Sequence, residues 1–121
     1  MPIVDVLIVE GGASADACAA SDLADALGRV FGAPPGRVWV RVARLPRADY
    51  AENGVAGVDA PVPVFVTVLH AQPPEGAARA AEARTVTAAV AEVCGRPVDC
   101  VHVEYAAAGR ARVAFGGTLV D

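Results

Sequence analysis

Two kinds of hydrophobic pattern alternate along this chain. Ile3–Val9 is a β-rich apolar run, and after Gly11-Gly12 the apolar positions Leu23, Leu27, Val30 and Phe31 recur at helical spacing. Ser14 is placed to cap that helix, and Gly32 with Pro34-Pro35 stops it. Val38, Val40 and Val42 then alternate with Trp39 and Arg41, the period of a strand with one covered and one open face. The order recurs downstream: a β-rich run from Val62 to Leu69, a turn at Pro73-Pro74, and a helix from about Glu75 with Val86, Val90 and Val93 on one face. Gly95 and Pro97 end it, and a last strand turns Val101 and Val103 inward and His102 and Glu104 outward.

The recurrence extends to the residues themselves. Residues 37–54 and 100–117 align without a gap, and seven of 18 positions are identical: Val38/Val101, Val40/Val103, Ala43/Ala106, Arg47/Arg110, Ala48/Ala111, Ala51/Ala114 and Gly54/Gly117. Each unit is therefore strand, helix, strand, and a right-handed crossover makes its two strands parallel neighbours. The expected architecture is α/β (α+β): two tandem β-α-β units, 2–54 and 62–117, joined by a linker at 55–61. Together they form a four-stranded mixed sheet with two helices on one face and make a single domain of residues 1–121. The other sheet face carries Trp39, and large apolar groups gathered on an open face mark an interface.

Composition narrows the possible functions. The chain has 121 residues, 55% of them hydrophobic, enough for one core and too few for two. Ala and Val supply most of the apolar content. A net charge of -4, with every cation an arginine, argues against a nucleic-acid groove or an anionic membrane surface. The opening MPIVDVLIVE lacks a basic leader and is far shorter than the ~20 residues that span a bilayer. Cys18, Cys94 and Cys100 show no paired spacing, which predicts a reduced cytoplasmic protein with buried thiols and no metal site.

Proline directly after the initiator methionine, the strand PIVDVLIVEG, the duplicated β-α-β pattern, the glycine pairs and the Leu69-His70 dipeptide together resemble the tautomerase superfamily over nearly the whole chain. The resemblance implies a trimeric fold and an enzyme acting on a small-molecule substrate without a cofactor. Its catalytic group would be the free secondary amine of Pro2 once Met1 is removed. In an apolar pocket with cationic neighbours the charged amine is disfavoured, so it becomes a usable general base near neutral pH. The implied reaction is keto-enol tautomerisation of a small 2-oxo acid or enol. Hydration, dehalogenation or decarboxylation of a three-carbon acid is one alternative, and a trimeric scaffold or binding protein without turnover is another.

Matching positions nominate His70 and the residues after it, Ala71 and Gln72, together with His102, Glu104, Val113 and Phe115, as substrate contacts. Trp39, Arg41, Glu52 and Arg112 are further candidates. Departures from the family pattern are equally informative: Ala71 and Pro74 stand where dehalogenases of the family carry carboxylate-binding arginines, and Ala33 stands where the migration inhibitory factor has a lysine. Without those residues a bidentate carboxylate clamp has to come from Arg41, Arg110 or Arg112. Glu52 lies in an aromatic-x-Glu-x-Gly segment (Tyr50 to Gly54) like that of the water-activating glutamate of dehalogenases, but in the first unit rather than the second.

Overall fold

The computed structural model describes residues 1–11, 18–55 and 61–121. Ser14, Gly12 and most of the 55–61 linker therefore lie outside the described residues. Strand β1 (Ile3–Val9) leads to helix α1 (Ala20–Phe31) and strand β2 (Trp39–Leu45); β3 (Val64–Leu69), helix α2 (Gly76–Cys94) and β4 (Val101–Tyr105) repeat the sequence of elements. The sheet order is β2-β1-β3-β4, with β1/β2 and β3/β4 parallel and β1/β3 antiparallel. Each unit thus supplies one parallel pair, and the two units meet edge to edge through their first strands.

Alternation along the strands decides which residues form the core. Val4, Val6 and Ile8 of β1, with Val64, Val66 and Val68 of β3, point to the same face and meet Leu23 and Leu27 of α1 and Val86 and Val90 of α2. Val38, Val40, Val42 and Val103 pack against this cluster from the outer strands. Small β-branched side chains allow the two helices to lie close on the sheet and on each other. Left-handed Gly32 and Gly95 close the two helices, as the sequence predicts.

β3 starts two residues later than the apolar run suggests, because the backbone of that approach has another partner. Arg96 is buried, and its guanidinium donates to the carbonyls of Val62 (2.7 Å) and Val9 (3.0 Å). One side chain thereby ties the end of β1 to the entry of β3. Burial holds the Arg96 pKa below its ordinary value, and carbonyl dipoles rather than a carboxylate solvate the charge.

The structure corrects one expectation and adds one element. Cys18 and Cys94 are joined by a disulfide, with Cα atoms 4.3 Å apart, so two of the three expected free thiols are not free; Cys100 is. Packing of α1 on α2 brings together residues 76 apart, a proximity that cysteine spacing does not encode. The added element is a C-terminal hairpin of β5 (Ala114–Phe115) and β6 (Thr118–Leu119). Its two-residue turn, Gly116-Gly117, has φ of 56° and 89°, a conformation that glycine adopts without steric cost.

Candidate active site

Pro2 stands at the entry of β1 and is buried. Its carbonyl accepts the Trp39 N–H at 3.1 Å, which extends the β1/β2 ladder by one step and fixes the proline at the strand end. Ile3 pairs with Leu69, so the next residue of β3's continuation, His70, lies opposite Pro2. The loop after β4 closes the same end: Gly109 N–H donates to His70 O (2.8 Å) and Arg110 N–H to Ala71 O (3.0 Å). Gly109 in turn accepts from Val113 N–H at 2.9 Å, which holds Val113 beside it. The Met1 methyl group lies against Gly109.

Trp39 and Phe115, nominated on separate grounds, meet here. Their rings form an edge-to-face pair with centroids 4.8 Å apart, and the Trp39 indole N–H donates to Gly36 O at 3.1 Å. The C-terminal hairpin thus leans its aromatic side chain on β2, beside the strand that Pro2 opens. Pro2, His70, Val113, Trp39 and Phe115 all occupy one end of the molecule, and exposed Arg110 and Arg112 sit on the closing loop. Gln72 follows His70 in the turn before α2.

His70 is fixed by contacts that the sequence reading missed. Its Nε2 lies 2.9 Å from Glu82 Oε2, and the same oxygen accepts the Tyr105 hydroxyl at 2.7 Å. Burial, and then the hydrogen bond to Glu82, push the Tyr105 pKa well above its ordinary value, so the phenol is the donor in that bond. The His70 ring also meets Phe31 edge-on, centroids 5.2 Å apart. Arg79 is spoken for, donating to Pro74 O at 2.7 Å and lying over the Tyr105 ring. Glu82 lies four residues before Val86 on the α2 face, and that helical spacing was a legible signal of inward placement.

The remaining candidates lie elsewhere in the single chain. Arg41 is on the open sheet face with its guanidinium forked onto Asp5, at 2.6 and 2.8 Å, so its geometry is used within the sheet. Glu104 is on the same face, in register with Thr67, whose hydroxyl donates to it at 3.0 Å. His102 lies beside Phe65, ring centroids 5.5 Å apart. Asp5, Arg41, Phe65, Thr67 and Glu104 line a depression of about 500 Å³ on this face. Neither His102 nor Glu104 reaches the Pro2 end within one chain, because strand register places His102 level with Leu7 and Glu104 level with Asp5, and both point to the open face.

Glu52 is farther still. β1 and β2 run parallel, so the residues after Leu45 lie at the Val9 end of β1, opposite Pro2. There Glu52 accepts the Tyr50 hydroxyl at 2.7 Å, and that bond raises the Tyr50 pKa.

The duplicated β-α-β chain has the fold seen in fused 4-OT structures. Among solved structures it is similar to a wild-type fused 4-OT, an asymmetric trimer (18% identity, 97% of this chain and 94% of that one, TM-score 0.74). It is also similar to malonate semialdehyde decarboxylase, which has decarboxylase and hydratase activities (20% identity, 94% and 90%, TM-score 0.63). A third is macrophage migration inhibitory factor from Oncomelania hupensis (17% identity, 100% and 83%, TM-score 0.71). At these identities the shared property is the fold. No family model matches the sequence, and no curated protein matches it.

Proposed function

We propose that this chain is a keto-enol tautomerase in which Pro2, freed of Met1, is the general base toward a small 2-oxo acid or its enol. The observation that carries the reading is the placement of Pro2: it is buried at the strand end, and the side chain of the adjoining Met1 ends against Gly109, in a corner that Val113 also borders. A secondary amine in that corner loses part of its solvation when charged, so it titrates below an ordinary α-amino group. The neutral amine takes the proton at the carbon next to the substrate ketone and returns it to the oxygen side as the enol forms. Arg110 and Arg112 are the cations the closing loop offers to the substrate carboxylate, since Arg41 and Arg79 are engaged.

The expected N-terminus is Pro2, checked by intact mass, and NMR titration of the labelled amine is expected to give a near-neutral pKa. A retained Met1 removes the free amine and ends the proposal. A high amine pKa favours instead an acid role or the scaffold without turnover.

The proposal includes one domain of two units, 2–54 and 62–117, assembled as a homotrimer. Trp39 is 50% exposed and Phe65 37% on a sheet face that neither described helix covers, and the similar fused 4-OT is a trimer. Closure by threefold symmetry would cover these faces and could bring His102 and Glu104 to a neighbour's Pro2. Light scattering should give three chains per particle at micromolar concentration; a monomer there contradicts the assembly. No helix among the described residues is long and apolar enough to cross a membrane. A cytoplasmic location is part of the reading, and the state of Cys18 and Cys94 in the cell bears on it, because a reducing compartment favours the thiols.

A further inference from the structure

Glu82 is a largely buried carboxylate to which the proposed reaction gives no task. Three elements converge on it: α2 carries Glu82, the end of β3 leads into His70, and β4 carries Tyr105. One oxygen, Oε2, meets both the His70 Nε2 (2.9 Å) and the Tyr105 hydroxyl (2.7 Å). An ionised carboxylate only accepts, so Nε2 carries the hydrogen in that contact and Nδ1 is the acceptor of the neutral ring. Nδ1 has no partner among the described residues. It is not sealed from water, since the one side-chain nitrogen or oxygen among them that is both sealed and unpartnered is Arg96 Nε.

Strand register brings that nitrogen to Pro2. Val9 N–H bonds to Pro63 O, and alternation along the antiparallel β1/β3 pair makes Ile3/Leu69 a hydrogen-bonded pair of the same kind. Pro2 and His70 therefore face each other at the next position, where opposed side chains stand closest, and both belong to the core-facing set of Val4 and Val68. Cβ atoms so placed are about 4.5–5.5 Å apart. Nε2 reaches away to α2, while Nδ1 stays on the Cβ side of the ring, level with the strands. With Met1 attached, the Pro2 nitrogen is a tertiary amide with no hydrogen to give, which accounts for the unpartnered Nδ1. Once freed, the neutral amine has one N–H and one lone pair. We infer that His70 Nδ1 accepts that N–H, directly or through one water, and so turns the lone pair toward the substrate, and that Glu82 is the positioning residue that keeps His70 in the tautomer this requires. The inference rests on the proposed role of Pro2 and adds the residues that orient it.

The test uses the full chain and has two readouts. The first is nitrogen NMR of the labelled His70 ring, with Met1 retained and with Met1 removed. Nε2 should carry the hydrogen in both forms, and removal of Met1 should move the Nδ1 resonance toward that of a hydrogen-bonded acceptor. The second is turnover of a 2-oxo acid by the Met1-free chain. Glu82→Leu should lower kcat about 10- to 100-fold with KM nearly unchanged, the scale seen when a group that orients a reacting centre through a histidine is removed. Glu82→Gln should recover most of that loss, because its carboxamide oxygen can accept the same two hydrogens. A His70 ring with its hydrogen on Nδ1, an Nδ1 resonance that Met1 removal leaves in place, equal losses in the two Glu82 variants, or a loss confined to KM each overturn the inference. Should Glu82→Leu fail to fold, the two wild-type spectra decide. An Nδ1 shift without any enolisation sinks the catalytic reading and leaves the His70–Pro2 contact standing; enolisation with an unmoved Nδ1 does the reverse.

Discussion

Pro2→Ala, made in the Met1-free chain, lowers enolisation of a 2-oxo acid at least ~100-fold, the lower bound expected when a positioned general base is disturbed. The substitution is conservative for the fold: alanine at this position keeps the backbone carbonyl that accepts the Trp39 N–H, so the entry of β1 stays paired. What changes is the base itself. The ring nitrogen becomes a primary amine free to rotate, and it no longer holds its lone pair at a fixed angle to the space beside Gly109. Histidine is the rival base in any such site, and the chain has two. His70 has its Nε2 engaged by Glu82, and His102 lies on the open sheet face beside Phe65. His102→Ala is therefore the parallel control, expected to alter KM more than kcat if a neighbouring subunit presents it. Complete loss in His102→Ala with most activity kept in Pro2→Ala would reject the proline mechanism.

The fold was legible where a pattern of hydrophobicity and its punctuation coincide. Ile3–Val9 is a strand at the boundaries its apolar run predicts, and α1 ends at Phe31 because Gly32 follows it. The faces of β2 and β4 also follow the alternation, with the valines inward and Trp39, Arg41, His102 and Glu104 outward. The hairpin of β5 and β6 went unread although Gly116-Gly117 between short apolar pairs is a turn signal. Its strands are two residues each, too short for any periodicity to register.

Of the residues nominated as a site, Pro2, His70, Trp39, Val113 and Phe115 gather at one end of the chain, while Arg41, Glu52, His102 and Glu104 do not. Arg41 looked available for a substrate, and it is not, because Asp5 lies across from it in the β1/β2 register. Which strand is the neighbour of which is set by topology, and a carboxylate 36 residues away gives no local sign of itself.

The disulfide gives the largest expected effect on stability. Reducing Cys18–Cys94 should lower the unfolding free energy by about 4.5 kcal/mol, the chain-entropy value for releasing a loop of this length, with the native fold retained. The loop spans 76 residues and contains β2, β3 and nearly all of both helices, so opening it frees most of the unfolded chain. Little is lost on the native side. Cys18 and Cys94 are 1% and 0% exposed within the core cluster, and as thiols they remain small apolar fillers there. Denaturant titrations with and without reductant measure the difference, and Cys18→Ala with Cys94→Ala separates the covalent link from the packing. The double variant should match the reduced protein to within the loss expected for two small truncations. Thiol counting decides the premise: the oxidised, denatured chain should react at Cys100 alone, and all three cysteines should react after reduction. Three reactive thiols before any reductant is added would show that the pair is not bonded, and the stability difference would then vanish with it.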